Sequence, residues 1–313
     1  MVDIGPDGLR TLAAVLREGT FEAAAEALHV TPSAVSQRVK AMEVAVGRVL
    51  VRRSKPVTAT PDGEVLARLA RQWELLTTEA SSELIGAESL GVRSRGTRRA
   101  DDLPAPRVHV PVAANADSLA TWLLPVLATF HRDYPVAVEV LRADETITGR
   151  LLRSGDVVGA ITSEPTGVRG CITVPLGSMR YLPVATPDFV ERWLPSGPTT
   201  SALAAAPMVH FDRDDHLQQT VLRLLTDEPV DPPGVYIPAS TEFYRAVEAG
   251  IGWGAVPRAQ IEDALASGRL VRFVDRHIDV PLYWQYWRLS SPLVTALTEL
   301  IRDGAGSALV PIG

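Results

Sequence analysis

The stretch of sequence that decides the fold lies near the N-terminus and reads TPSAVSQRVKAMEVAVG, from Thr31 to Gly47. Threonine followed by proline is a frequent helix start and glycine a frequent helix end, so this stretch predicts one helix. At about 100° per residue, the apolar side chains fall on one narrow face of that helix. They are Val35, Val39, Met42 and Val46. The opposite face carries Ser33, Ser36, Gln37 and Lys40. Hydroxyls, an amide and a cation suit DNA phosphates and the base edges of the major groove.

The flanking residues complete a helix-turn-helix with a wing. A preceding helix is predicted over Phe21–Leu28, and only a short connection separates it from Thr31. Two short strands, Val49–Arg53 and Val57–Thr60, are predicted around a basic turn at residues 54–56. The residues predicted to contact DNA are Thr31, Ser33, Ser36, Gln37, Arg38, Lys40, Arg52, Arg53 and Lys55. The alternative is a structural three-helix domain with a polar outer face.

The distribution of charge favours the DNA-contacting interpretation. The whole chain has a net charge of −6, whereas residues 31–60 carry six basic side chains and a single acid, Glu43. A basic segment at one end of an acidic chain is typical of a tethered nucleic-acid reader, and a solvated basic surface is the alternative. The residues after position 100 carry a net charge of −8, which favours a cationic ligand in that part of the chain.

Composition limits the remaining classes of protein. Hydrophobic residues make up 46% of the 313 positions, enough for a large core. No apolar run reaches the roughly 18–20 residues that span a bilayer, and the N-terminus lacks the pattern of a secretory signal. Cys171 is the only cysteine, which excludes a disulfide framework and any multi-cysteine metal site. We therefore expect a cytoplasmic protein without a membrane association.

Beyond the wing, the sequence predicts a long helix and then a hinge. The helix covers residues 61–86, and apolar side chains recur along it at alternating helical steps: Leu66, Leu69, Trp73, Leu76 and Ala80. Such a seam is typical of a short coiled coil and predicts pairing with a second copy, while packing against its own chain is the alternative. Residues 87–106 combine glycine, proline and arginine without periodicity, which predicts a hinge.

From residue 107 to residue 313, predicted strands alternate with predicted helices. This alternation indicates an α/β module with largely parallel sheets, attached to an all-α winged helix-turn-helix over residues 1–60. Enzyme motifs are absent: the glycines at 250–254 follow a helix and do not form GxGxxG, and neither a P-loop nor a GxSxG motif occurs. His210, Asp212, Asp214 and His216 fit neither one strand face nor one helix face, so chance placement is favoured over a metal site.

The N-terminal motif resembles the winged helix-turn-helix of LysR-type transcriptional regulators. The matching residues are Phe21, Ala24, Ala25, Leu28, Thr31, Ser33, Ala34, Val35, Ser36, Gln37, Lys40 and Glu43. The order of reader, helix, hinge and ligand module also matches that family over essentially the whole chain. The resemblance implies a module similar to a type 2 periplasmic binding protein, with subdomain I at about 107–182 and 280–313 and subdomain II at about 183–279. It further implies a double-stranded DNA operator, a homodimer or homotetramer, contact with RNA polymerase, and neither a cofactor nor an enzymatic activity.

Other segments are similar to the LysG and ArgP branch of that family, which controls the export of basic amino acids. They are Asn115–Trp122, Asp144–Thr146, Gly155–Ala160 and Leu282–Trp284. This similarity implies that lysine or arginine is the effector and that the target gene encodes an exporter. The alternative is a transport component or an enzyme built on a binding-protein fold, which the attached DNA reader opposes.

The chemistry of a basic amino acid suggests where it binds. Its carboxylate needs donors, and a helix start at Asn115, Ala116, Asp117 and Ser118 follows a strand directly; simple helix capping is the alternative. Its cationic groups need acids or carbonyl groups. The acidic candidates at strand ends and loop starts are Asp144, Glu145, Glu164, Asp212, Asp214, Asp215 and Glu242, of which Glu164, Asp212 and Glu242 are preferred; a solvated surface acid is the alternative for each. Thr241 is predicted to cap the helix that carries Glu242 and to reach the ligand.

Overall fold

The computed structural model of the protein describes residues 4–91, 108–143 and 145–312. Asp144 and residues 92–106 of the predicted hinge lie outside the described residues. The N-terminal part consists of α1 (Pro6–Glu18), α2 (Phe21–Ala27), α3 (Pro32–Val46), β1 (Val51–Arg52), β2 (Thr58–Ala59) and α4 (Pro61–Gly91).

The N-terminal part is a winged helix-turn-helix, as the sequence predicts. The turn between α2 and α3 contains His29 at a φ of 54°, and Thr31 caps α3 by accepting a hydrogen bond from the Ala34 N–H at 3.2 Å. The apolar face of α3 is buried in the core that it forms with α1 and α2. The wing strands pair antiparallel but are shorter than predicted. Pro56 in the turn has no N–H to donate, which limits the pairing there.

The helix α4 is longer than predicted and exposes most of its apolar seam. It continues to Gly91, past the predicted end at residue 86, because one interior glycine costs only about 1 kcal/mol within a run of helix formers. Leu69 and Trp73 are 44% and 42% exposed, and Leu84 is 70% exposed. Leu66 departs from the prediction, since it is buried in the N-terminal core.

The C-terminal module contains the remaining elements. Its helical segments are α5 (Ala116–Ser118), a π-helical turn (Leu119–Leu123), α6 (Leu124–Asp133), α7 (Glu145–Ser154), α8 (Pro187–Trp193), α9 (Thr200–Ala205), α10 (His216–Leu225), α11 (Ser240–Glu248), α12 (Arg258–Ala266) and α13 (Pro292–Ala308). Its strands are β3 (Val108–Ala114), β4 (Val136–Arg142), β5 (Gly159–Thr162), β6 (Cys171–Ala185), β7 (Met208–His210), β8 (Gly234–Tyr236), β9 (Gly254–Pro257), β10 (Val271–Arg272) and β11 (Ile278–Trp287).

The main sheet is mixed, so the prediction of largely parallel sheets was wrong. β3 pairs in parallel with β4 and β5, but β11 pairs antiparallel with both β5 and β6, and β6 pairs antiparallel with β9 and β10. Alternation of strands and helices predicts parallel crossovers, and it carries no signal for a long strand that returns antiparallel from a distant part of the chain.

The long strands β6 and β11 join the two predicted subdomains. They pair from Cys171 opposite Trp287 to Tyr181 opposite Ile278, with an irregularity between Leu282 and Tyr283. Both predicted subdomain boundaries, at residues 182 and 280, therefore fall inside continuous strands. The helical run from α5 to α6 packs against α13, while α11 and α12 both contact β6 and α12 also contacts the π-helical turn of that run.

Candidate functional site

The residues predicted to contact DNA lie together on the accessible surface of α3 and the wing. Gln37, Lys40, Arg52 and Lys55 are exposed, as are Thr31, Ser33 and Arg53, while Ser36 and Arg38 are half-buried. Within the described ranges, no ion pair joins any of these basic side chains to an acid. The cations of this face are therefore available to an external polyanion.

The wing is held against α3 by the one acid of the basic segment. Glu43 accepts hydrogen bonds from the backbone N–H groups of Leu50 at 2.9 Å and Val51 at 3.5 Å. The Arg53 guanidinium lies over the Phe21 ring, 5.2 Å from its centre. These contacts fix the basic turn beside α3, so both elements present their polar groups as one surface.

The second candidate site begins where β3 ends. Asn115 caps α5 by accepting a hydrogen bond from the Ser118 N–H at 3.2 Å, which is the capping role that the sequence left as an alternative. Ser118 is completely buried, and its Oγ has no hydrogen-bond partner among the described residues. A buried hydroxyl without a partner is uncommon and requires an explanation.

Asp117 connects the two predicted subdomains. Its Oδ1 accepts a 2.5 Å hydrogen bond from Ser240 Oγ on α11, and its Oδ2 accepts one at 2.7 Å from Tyr181 Oη on β6. Gln260 on α12 donates to Ser240 Oγ at 3.0 Å, and the Gln260 Oε1 atom is buried without a partner among the residues described. A second crossing contact joins Arg142 Nη1 to the Pro238 carbonyl at 3.1 Å.

The electrostatics around Asp117 are those of a buried acid. Burial raises the pKa of the Asp117 carboxyl above its ordinary value, although the hydrogen bonds from Ser240 and Tyr181 act in the opposite direction. Asp215, which caps α10, adds a negative charge that raises the pKa of Asp117 further. Burial and the Asp117 charge together raise the pKa of Tyr181 well above normal. The carboxyl of Asp117 therefore lies where burial makes its charged form costly unless a partner compensates the charge.

The other predicted effector residues lie apart from this network. Glu164 is exposed, and the Thr166 N–H holds the pKa of its carboxyl below the usual range. Asp212 is exposed and accepts a hydrogen bond from the Asp214 N–H in its own loop. Among the described residues, no hydrogen bond or ion pair joins Glu164, Asp212 and Glu242 to one another.

One prediction on α11 was wrong. Thr241 does not cap the helix, because α11 begins one residue earlier, at Ser240, with Ala239 at the cap position and no side-chain cap. Thr241 and Glu242 are exposed in its first turn, directly after Ser240. The sequence reasoning missed Tyr181, Ser240 and Gln260. Each is an ordinary residue within its own element, and only the fold brings the three to Asp117.

Two sequence families match the chain in the same order as its two structural parts. Residues 6–64 match the family described as "Bacterial regulatory helix-turn-helix protein, lysR family", and residues 105–306 match "LysR substrate binding domain". The chain belongs to the LysR family of transcriptional regulators. The fold class inferred from the sequence is thereby confirmed.

Several known LysR-family regulators are similar to this chain over nearly its whole length. The regulator LysG of Mycobacterium tuberculosis is 44% identical over 97% of this chain and 95% of its own. The lysine export transcriptional regulatory protein LysG of Corynebacterium glutamicum is 40% identical over 98% of this chain and 100% of its own. The structure of full-length C. glutamicum LysG with bound effector Arg has a TM-score of 0.80 and 37% identity, over 98% of this chain and 100% of that one.

No helix in the described ranges is both long enough and apolar enough to cross a membrane. Among the same residues, no group of histidine, cysteine and acidic side chains is arranged to hold a metal ion, and this includes the loop from His210 to His216.

Proposed function

We propose that this LysR-family regulator binds lysine or arginine between its two subdomains and that the bound amino acid controls its affinity for DNA. The observation that carries the proposal is the buried carboxylate of Asp117, held between the subdomains next to the unpartnered Ser118 Oγ. An acid beside a free hydroxyl at a helix start provides partners for both ends of an amino acid.

The proposed orientation follows from these partners. The α-carboxylate of the effector binds at the start of α5, where Ser118 Oγ donates to it and Asn115 orders the turn. A cationic group of the effector binds Asp117, reinforced by the charge of Asp215. Thr241 and Glu242 follow Ser240 on α11, which lies across from Asp117. Asp144, Glu164 and Asp212 stay predicted contacts of the cationic groups of the effector. The name of the C. glutamicum structure, with its bound Arg, supports an effector of this class.

Binding at this place changes how the subdomains meet. Ser240 Oγ donates a hydrogen bond to Asp117, so an effector that takes over Asp117 displaces a contact between the two subdomains. The ligand shifts the equilibrium between the two arrangements only by its difference in affinity for them, typically about 1–3 kcal/mol.

The effector acts on DNA binding through the DNA-contacting face, which is the surface formed by α3 and the wing. Gln37 reads base edges, while Arg38, Lys40, Arg52, Arg53 and Lys55 bind phosphates, with the hydroxyls of Thr31, Ser33 and Ser36 alongside. Each chain carries one such face, so a two-fold symmetric operator needs two chains. The exposed seam of α4 supplies the pairing surface for a homodimer, and two dimers form a tetramer.

The biological setting follows from the relatives. We assign as target a gene for an exporter of basic amino acids, in line with the name of the C. glutamicum relative. We assign the protein to the cytoplasm, where it would meet its operator and RNA polymerase. It requires no cofactor and no catalytic step.

Calorimetric titration with single amino acids tests the effector assignment. We expect lysine or arginine to bind and neutral amino acids to fail. In Asp117→Asn, binding should weaken about 10- to 100-fold, the usual value of a hydrogen bond to a charged group. The matched control is Asp188→Asn, which removes an exposed carboxylate on α8. Tight binding of neutral amino acids, or unchanged affinity in Asp117→Asn, contradicts the site.

A gel-shift titration with the DNA upstream of the protein's own gene tests the output. Binding should prefer that DNA over random sequence, weaken with salt, and change when lysine or arginine is added. An amino acid that binds without any effect on DNA affinity would favour the transport-component alternative.

A further inference from the structure

Glu79 is a buried acid in the middle of the linker helix α4. Glu79 is only 6% exposed, which is rare for a carboxylate that forms no ion pair with a basic side chain of the described residues. Its Oε1 accepts a 2.9 Å hydrogen bond from Ser291 Oγ and a 2.8 Å hydrogen bond from the Leu293 N–H. Ser291 is the N-cap of α13 and Leu293 lies in its first turn, so the carboxylate on α4 compensates the positive end of α13.

The same face of α4 is docked along the C-terminal module. Arg71 donates to the Ser154 carbonyl at 2.8 Å and pairs with Asp156 at 2.5 Å, and Leu75 is buried in the core of the module. Gly155 has a φ of 82°, and a Cβ there would lie 2.8 Å from the Arg68 Cα. The backbone of α4 therefore passes too close to residue 155 for any side chain.

The helix that Glu79 caps also touches the helical run of the effector site. A Cβ at Gly304 of α13 would lie 2.3 Å from the Val126 side chain and 3.7 Å from the Trp122 ring. Trp122 and Val126 belong to the run that starts at Asn115–Ser118. Packing this close leaves little room for the two helices to shift independently.

We propose that Glu79 is the positioning residue through which the effector module sets the position of the linker helix. This inference rests on the proposed effector site. A shift of the run that starts at Asn115 moves α13, and Glu79 passes that movement to α4 because its carboxylate follows the first turn of α13. From Pro61, α4 leads directly into the wing, so the movement reaches the DNA-contacting face.

The test measures coupling in the full-length protein. The quantity is the factor by which lysine or arginine changes operator affinity, about 5- to 150-fold in typical allosteric proteins. In Glu79→Ala this factor should fall towards one, while the affinity for the amino acid without DNA stays close to that of the wild type. Glu79→Gln keeps an acceptor oxygen for both donors and should retain part of the coupling. Ser291→Ala removes one donor from the other side and should reduce coupling in the same direction.

Glu74→Ala is the matched control, because Glu74 lies exposed on the same helix, away from the docked face. Full coupling in both Glu79→Ala and Ser291→Ala would overturn the inference, and so would equal loss in the control.

Hydrogen exchange at the Leu293 amide separates this inference from the proposed function. Glu79→Ala should expose that amide without any ligand present, whereas the control should not. A wild-type protein that ignores every basic amino acid contradicts the proposed function. In that case, faster exchange of the Leu293 amide in Glu79→Ala would still support the role of Glu79 in positioning α13 against α4. Unchanged exchange would overturn that role.

Discussion

The face formed by α3 and the wing leaves its charged groups in solvent, whereas the cleft around Asp117 buries them and pairs them with hydroxyls. The face comes from one short segment, residues 31–55, and its cations need no partner inside the chain. The cleft is assembled from Asp117, Tyr181, Ser240 and Gln260, which are far apart in the sequence. A surface that meets a polyanion can remain hydrated until contact, while a pocket for a small cation must satisfy its own acid in the absence of ligand.

The largest expected effect tests whether the face of α3 and the wing on a single chain is sufficient for operator binding. Leu69→Glu combined with Leu76→Glu places carboxylates in the α4 seam and should abolish the dimer. Operator affinity should then fall on the order of 10²- to 10⁴-fold, because the second face no longer binds as a tethered unit. Effector binding should persist, since the cleft lies within one chain. Sedimentation measures the mass, with Ser81→Glu, outside the seam, as the control. An unchanged mass refutes the seam assignment.

The next effect separates two roles within the DNA-contacting face. Gln37→Ala should weaken operator binding by about 1–3 kcal/mol and leave binding to random DNA unchanged, because a base contact is lost. Arg52→Ala should weaken binding to both DNAs and lower the salt slope by about 0.9, since one phosphate contact is lost. Fluorescence anisotropy at several salt concentrations measures both quantities. Equal effects of both variants on both DNAs would contradict the assignment of a base contact to Gln37 and a phosphate contact to Arg52.

A smaller effect is specific to the cleft and depends on pH. Burial raises the pKa of Asp117, and a bound cation would favour the ionised carboxyl. Effector affinity should therefore fall as the pH drops through that raised pKa, by up to about tenfold per pH unit for one group. Titrations in buffers of different ionisation enthalpy should detect proton release on binding in that range. Asp117→Asn should show a flatter profile, and an identical profile would exclude Asp117 as the titrating group.

The smallest effect concerns stability without ligand. A raised pKa means that the folded chain binds the Asp117 proton more tightly than the unfolded chain, so the ionised carboxylate destabilises the fold at neutral pH. Asp117→Asn should therefore raise the melting temperature at neutral pH, because the neutral amide does not bear the cost of a buried charge. The difference should disappear once the pH lies below the ordinary carboxyl pKa. A lower melting temperature in Asp117→Asn at neutral pH would show that the hydrogen bonds of the carboxylate outweigh its burial.

The same contrast explains what the sequence could predict. The helix from Thr31 to Gly47 carries its cap, its period and its stop signal within a few turns, so its faces follow from local rules. The start of α5 was also predictable, because Asn115 and Ser118 form a local cap. By contrast, the partners of Asp117 depend on which distant strand pairs with which, and β6 and β11 pair across about a hundred intervening residues, for which no local signal exists.

The errors have the same origin. The predicted seam on α4 does contain an exposed apolar stripe at Leu69 and Trp73, but Leu66 does not belong to that stripe. Leu66 is buried in the N-terminal core, and that burial depends on where α1 packs. Thr241 was predicted to be a cap because hydroxyl residues often precede helices. Its neighbour Ser240 instead begins the helix, and the Ser240 hydroxyl donates a hydrogen bond to Asp117. The positions of Leu66 and Thr241 could be assigned correctly only from the tertiary contacts, because the residue type alone does not determine them.

The continuous pairing of β6 with β11 has a mechanical consequence. Because the two strands run through both subdomains, the subdomains cannot separate without breaking a ladder of backbone hydrogen bonds. They can bend where the ladder is irregular, at Leu282–Tyr283, opposite Gly177 with its φ of 136°. The opening of the cleft is then a single angle about one short ribbon. We expect a ligand bound at Asp117 and the ionisation of Asp117 to act on that same angle, because Asp117 is hydrogen-bonded to Ser240 across the two subdomains.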